Sequence, residues 1–436
     1  MQRLSLPLLV IAIMTPQILE TLYSPALTAI RSDFGISAAQ AGQTLSIYFF
    51  AFALGVAFWG VFCDRFGRRP AMLAGLALYL VGAGIALLSG NFTLLLAARA
   101  LIAFGAAVGS IVTQTMLRDV YQGPALGRMF ALVGIALSIS PLLGMFAGGA
   151  LVAWGGSAAI FIAQAAWALA LLLWSYGTLP ETRQRQTATA AAPGIALTTM
   201  LRDRHIWCSA LLVASFNIMV FSYFSLAPFM FERLGLSSQQ FGYSGAMLAL
   251  GSLAGALLNR HLLARGVSAK RQILLGGLLA VASGVALFWW QHSLWMLLPS
   301  ALVMLAFGLA IPNVLSQALT RYREQLGTAG ALFGLLYYLL IGLGLTIAAR
   351  GQDLAATLLL CGLLSLWWGG GGGGGGGGIL FSQRPFQHNE SHIMRTSAQI
   401  RQKSACNHHH GIKRSSLLRS FVFDRQPSVS LLNTPE

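Results

Sequence analysis

The chain has 436 residues, 56% of them hydrophobic and only 9% charged, with a mean hydropathy of +0.69. That composition excludes a single water-soluble core, and the dispersal of its +16 net charge over many short loops excludes nucleic-acid binding. Four cysteines, Cys63, Cys208, Cys361 and Cys406, lie far apart and imply neither a disulfide framework nor a zinc site.

Nearly uncharged stretches of membrane-spanning length recur twelve times, near residues 5–24, 43–62, 71–89, 93–113, 129–152, 158–179, 206–230, 241–259, 272–291, 294–317, 328–349 and 354–368. The first ends at Glu20 without a small-residue cleavage site, so it reads as a span and not as a removable leader. Basic residues concentrate at the N-terminus and in alternate loops, as in Arg65, Arg68 and Arg69 or Arg260, Arg265, Lys270 and Arg271. The opposite loops hold only Arg31, Arg233 and Arg350. This positive-inside bias predicts a multi-pass protein of a bacterial inner membrane with both termini cytoplasmic.

The longest polar connection ahead of the tail, Pro180 to His205, divides the spans six and six. The expected fold is therefore an all-α membrane protein of twelve transmembrane helices in two pseudo-symmetric six-helix bundles, residues 1–180 and 206–368, joined by a cytoplasmic linker over 181–205. Sequence repetition between the halves is weak.

The loop "GVFCDRFGRRP", Gly60 to Pro70, carries the most specific pattern in the chain. Gly60 allows close helix contact, Gly67 suits a tight turn, and Asp64 with Arg65, Arg68 and Arg69 can form a charge cluster at the membrane edge. The pattern G-x-x-x-D-R-x-G-R-[RK] between a second and third span resembles the signature loop of the major facilitator superfamily. "YSPALTAIRSDFGIS" from Tyr23, "RDVY" from Arg118 and "LPETR" from Leu179 extend the resemblance over about residues 10 to 365. They look most like the drug:proton antiporters of the bicyclomycin and chloramphenicol resistance branch. In that family the loop's Asp and Arg, joined by an acidic residue after the fourth helix, latch the halves in the outward-facing state. The resemblance thus implies a conformational latch of Gly60, Asp64, Arg65, Gly67, Arg68 and Asp119. The fourth helix departs from the family's R-x-x-Q-G, with Ile102 and Ala103 following Arg99, and the fifth keeps Pro141 without the Gly-Pro pair.

Two ionisable groups lie within the spans. Glu20 is placed for reversible protonation or for binding a cationic substrate, or else it is an interfacial residue reaching water. Arg99 is permanently charged; by resemblance it is a proton-relay or gating charge, and otherwise it snorkels to the outer headgroups. Other intramembrane polar and aromatic residues, Gln43, Tyr48, Gln114, Gln164, Asn217, Tyr223, Asn313 and Gln317, either line a central cavity or bond helix to helix. Glu20, Arg99, Gln43, Asn217 and Tyr223 form the expected proton and substrate set.

Ten glycines, Gly369 to Gly378, follow the last span, which is too short to cross a bilayer without some of them. The basic tail 379–436 has five of the eight histidines and no helical periodicity, so it reads as disordered, or as a metal- or lipid-binding segment. Trp367 and Trp368 followed by the ten glycines are also compatible with an uninterrupted run of G nucleotides. The tail is then a shifted reading frame, phase-variable, fixed or a sequencing error.

The expected function is proton-coupled efflux of small lipophilic or cationic compounds by alternating access, by a protein expected to be monomeric and to need no cofactor and no metal. A metabolite or sugar transporter of the same superfamily is the alternative, and an inactive frame-off product is the alternative from another class. No nucleophile with its base and no metal-ligand spacing points to an enzyme.

Overall fold

The computed structural model describes residues 5–183 and 200–370, apart from the side chains of 323–328. Most of the expected linker, the glycines after Gly370 and the whole 379–436 tail lie outside the described residues, as does Cys406. Every regular element among the described residues is helical.

In chain order these are α1 (Leu6–Tyr23), continued through a 3-10 turn by α2 (Leu27–Asp33), α3 (Ala38–Phe66), α4 (Arg68–Leu87), α5 (Phe92–Val120) and α6 (Gly123–Thr178). Then follow α7 (Arg204–Arg233), α8 (Ser238–Ala264), α9 (Ala269–Trp290), α10 (Leu297–Ala318), α11 (Leu326–Gly351) and α12 (Leu354–Gly370). Ten segments are long and apolar enough to cross a membrane. One of them is α6, whose 56 residues break at Gly155 and Gly156 into two spans, Gly156 taking φ 62°. The shorter apolar α12 completes the twelve: Gly369 and Gly370 are helical and bring it to 17 residues, about 26 Å at 1.5 Å per residue.

The helices pack as two copies of one plan. In the first half α1 lies against α5 and α6, and α3 and α4 both lie on α5. In the second, α7 lies against α10, α11 and α12, and α8 and α9 both lie on α10. The helix starts repeat as well. Ser37 opens α3 and Ser237 opens α8 with the same capping box: each serine Oγ accepts from the backbone N–H three residues on, at 3.2 Å. The Gln40 and Gln240 side chains accept in return from the serine N–H at 2.9 and 2.8 Å. Ahead of each box a glycine, Gly35 or Gly235, takes positive φ. The motif is "GISAAQ" in one half and "GLSSQQ" in the other, a local repeat within a weak overall one.

The halves meet through α3 with α11 and α6 with α8. Their cross-half contacts fall at one end of the bundle and toward its middle. Ser24 Oγ donates to the Phe224 carbonyl, Arg31 pairs with Glu232 at 2.9 Å, and Met145 and Gly149 pack on Gly242. Phe49 and Phe52 meet Phe221 and Tyr338 nearer the centre. At the other end, which carries the basic loops, no cross-half hydrogen bond or ion pair is found among the described residues.

Candidate functional site: a central cavity and a charged junction

A cavity of about 470 Å³ lies between the halves, lined from α1, α3, α5 and α6 on one side and α7, α8, α10 and α11 on the other. Its wall is aromatic and aliphatic, with Tyr48, Phe49 and Phe52 facing Phe221, Phe307, Tyr337 and Tyr338. Polar groups are sparse: Gln17, Ser110, Gln114, Ser138, Asn217 and Ser252. The one charged side chain in the lining is Glu20. A large apolar pocket with few convergent polar groups is the form a small-molecule site takes.

Glu20 is 2% exposed and its Oε1 has no hydrogen-bond partner. Asn217 also reaches the cavity, its amide donating to the Val213 carbonyl at 2.7 Å. Arg99 lies behind the lining, fully buried more than a turn into α5, and so it does not snorkel to headgroups. None of its guanidinium nitrogens has a hydrogen-bond partner. Its carbon instead sits 3.8 Å from the Tyr23 ring centre and 5.0 Å from that of Tyr48. Gln43 and Tyr223 stand outside the lining. Gln43 is half-buried beside Gly42 near the closed end, and Tyr223 donates to Ser244 Oγ at 2.7 Å within the second half. Gln164 donates to the Leu19 carbonyl at 3.4 Å, a helix-to-helix bond.

Sequence reasoning missed Tyr23, one helical turn after Glu20 and on the same face, where an i, i+3 spacing was the available signal. It also missed the pair Tyr337 and Tyr338 on α11.

The second site is the junction of α3 and α4. Gly67 takes φ 110° between the two helices. Arg68 then reaches across to α5, donating from Nε to Asp119 Oδ2 at 2.8 Å and from Nη2 to Asp119 Oδ1 at 3.3 Å. Its Nη1 bonds the Cys63 carbonyl at 3.0 Å and lies 3.1 Å from Asp64. The bidentate pair is the strong element, since both side chains are mostly buried, whereas Asp64 is 71% exposed and adds little. Arg65 contributes its backbone carbonyl, which accepts from Arg183 Nη1 at 2.8 Å.

Glu181, just past α6, closes this junction. Its Oε1 accepts from the N–H groups of Arg68 at 3.0 Å and Arg183 at 2.8 Å, and its Oε2 from that of Arg69 at 3.0 Å. Partial burial raises its pKa, but these backbone donors outweigh that and hold the carboxyl below its usual value. Thr182 adds a hydrogen bond to Asp119 Oδ2 at 3.0 Å. Glu181 lies within "LPETR", where its residue type and spacing point to no role of its own. The described partners of Arg68 all belong to the first half or the start of the linker.

Gly60 is a correction. A Cβ there would meet only Ile111 Cγ1 at 3.8 Å, an ordinary contact. The close crossing of α3 on α5 falls five residues earlier, at Gly55, where a Cβ would lie 2.7 Å from the Phe104 carbonyl oxygen.

Comparison with known proteins bears on the family and the fold. A family profile described as Major Facilitator Superfamily matches residues 9–345. An uncharacterized transporter of Rickettsia felis is 29% identical over 364 residues, covering 80% of this chain and 90% of its own. A bicyclomycin resistance protein homolog of Haemophilus influenzae is 25% identical over 363 residues, covering 78% and 87%. Among solved structures, a bacterial homolog of the human lysosomal transporter Spinster, in an inward-facing unoccupied conformation, superposes with a TM-score of 0.66. It is 17% identical and covers 84% of this chain and 96% of its own, a likeness of fold.

Proposed function

The chain belongs to the Major Facilitator Superfamily, a family of membrane transporters and not of enzymes, and we propose that it exports small lipophilic or cationic compounds in exchange for protons. The observation that carries this reading is the cavity, an aromatic-walled chamber with Glu20 as its one charged lining residue. Aromatic faces take up flat apolar or cationic compounds without fixed hydrogen bonds. A carboxyl in the same chamber can hold either a proton or a positive charge, and that competition couples the two fluxes.

Sidedness follows from the loops. With the basic loops on the cytoplasmic face of a bacterial inner membrane, the sealed end faces outward and the chamber communicates with the cytoplasm. The Asp64, Arg68 and Asp119 cluster sits at that cytoplasmic end and biases the equilibrium between inward and outward states. Relatives named for bicyclomycin and chloramphenicol resistance support drug efflux within the superfamily.

The test is Glu20→Gln in everted membrane vesicles, following ethidium movement driven by a proton gradient. Loss of an ionised partner worth about 1.5–3 kcal/mol reduces protonophore-sensitive transport by about tenfold or more. Undiminished transport sinks the proposal, and a response to sugars or organic acids in place of ethidium favours a metabolite transporter.

A further inference from the structure

Arg99 poses an electrostatic problem. Contact with a desolvated aromatic face offsets only part of the cost of burying an unpaired ion. Glu20 is the counter-charge at hand, yet no ion pair joins them: the guanidinium has no hydrogen-bond partner and neither has Glu20 Oε1. Tyr48 stands at this place. It lines the cavity beside Glu20, while its ring also covers Arg99, which is outside the lining. Its hydroxyl donates to the Pro16 carbonyl at 2.7 Å, one turn before Glu20 on α1, and its ring stacks on Phe52.

We propose that Tyr48 is a positioning residue, a partition that holds Arg99 against aromatic rings and apart from Glu20, so that the carboxyl stays available to protons and substrate. This rests on the exporter reading above. The neighbours of Tyr48 on α3 connect the partition to the cycle: Phe49 packs on Phe221 at 4.6 Å between centroids and Phe52 on Tyr338 at 4.9 Å, both across the halves. When the halves rock apart, Phe49 and Phe52 lose their partners in the second half, and the face of α3 that holds Tyr48 against α1 is released from that support. Arg99 then gains access to Glu20 and displaces its proton or cationic ligand, timing release to the outward-facing state.

The groups facing Glu20 bound the pH argument. They are Arg99 from α5, Tyr48 from α3 and Tyr338 from α11, with Tyr23 on its own helix against Arg99. From α6 come the neutral Gln164 and Trp167, bonded to the Leu19 carbonyl and Thr15.

The experiment uses the full chain in proteoliposomes with ethidium as the probe, measuring the pH of half-maximal proton-driven transport. In Tyr48→Leu the ring is gone and Arg99 stands by Glu20 throughout the cycle. A fixed positive charge favours the ionised carboxyl, so half-maximal transport moves to lower pH by about one unit, a tenfold higher proton concentration. Adding Arg99→Gln returns the midpoint toward that of the parent. Tyr48→Phe keeps the ring but drops the Pro16 anchor, and gives a smaller shift of the same sign if the leucine variant fails to fold. Lower rates at an unmoved midpoint, or a shift that Arg99→Gln leaves in place, overturn the partition. Failure of the exporter reading looks different: the Glu20→Gln protein then keeps the parent's pH profile.

Discussion

Where α3 meets α4, a guanidinium, two carboxylates from neighbouring helices and a third from beyond α6 hold the end of the first half together. Where α8 meets α9, neutral amides stand in the same place. Asn313 of α10 donates to Asn259 Oδ1 at 2.8 Å, lies 3.5 Å from Gln272 Oε1, and also bonds the Leu309 carbonyl at 2.8 Å. The sequence shows the kinship, since Gly60 to Arg65 reads G-x-x-x-D-R and Gly255 to Arg260 reads G-x-x-x-N-R. Asn259, Gln272 and Asn313 are all buried, whereas Asp64 at the equivalent of Asn259 is exposed. The difference teaches how each junction is bound. Buried amides satisfy one another without a desolvated charge, giving a fixed internal joint. The charged junction instead gathers groups from four segments at the surface, including the start of the linker, and is open to changes in its partners. The linker's far end repeats the device on a smaller scale: Asp203 caps α7 and accepts from Tyr322 Oη at 2.9 Å, with Arg321 3.6 Å away.

The sharpest way to break this comparison is Arg68→Ala. It removes the bidentate partner of Asp119, 17% exposed, leaving the Thr182 hydrogen bond in place, and is expected to destabilise the protein by about 3 kcal/mol. A fall in the melting temperature of detergent-solubilised protein checks it, and Arg68→Lys recovers only part because an ammonium cannot fork. A smaller effect is expected from Asn313→Leu. This nearly isosteric change leaves the Asn259 and Gln272 acceptors without a donor, costing about 1–2 kcal/mol in the same assay. If the amide variant proves the more damaging of the two, the charged junction is not the principal brace and the ranking is reversed.

Much of the fold was legible because lipid leaves the backbone few options, so hydropathy and loop charge locate spans directly. The boundaries were less legible. The first apolar stretch ends near Glu20 by composition, but helix continues through the 3-10 turn at Ser24–Ala26 to Asp33. The break inside α6 was legible, since composition separates its two spans at 152–158 and the non-helical Gly155 and Gly156 fall in that gap. At the site, type and depth singled out Glu20 and Arg99, which burial and charge make costly wherever they are. Their arrangement was illegible: Tyr48 could be named as a candidate lining residue, but that its ring and that of Tyr23 cover Arg99 emerges only once the helices are packed. Tyr223 shows the converse: the same residue type at the same depth is satisfied by Ser244 on the adjacent α8, away from the chamber. Glu181 was hidden for a different reason, since two of its three partners are backbone N–H groups more than a hundred residues away, which no side-chain motif encodes.

Glu181 also supplies the finest test, one of pH. Its carboxyl titrates below the ordinary glutamate value of 4.5 in the folded protein, because the backbone donors of Arg68, Arg183 and Arg69 favour its charged form over the opposing cost of burial. A folded value below the unfolded one means that the stabilisation is complete above the unfolded value and is lost as pH falls through the folded one. Through the neutral range the junction is therefore insensitive to protons, and mild acidification leaves the linker start attached. Glu181→Gln keeps a single acceptor oxygen and no charge, and is expected to cost about 0.5–1 kcal/mol at pH 7, the carboxylate being partly solvated. The gap between the melting temperatures of parent and variant should narrow as pH is lowered below the ordinary value of 4.5, an interval in which the parent's carboxyl takes up its proton and the variant has no charge to lose. A gap that stays constant over that interval would show that the three N–H bonds depend on the shape of Glu181 and not on its charge, and the junction would then resemble its amide counterpart more closely than its sequence implies.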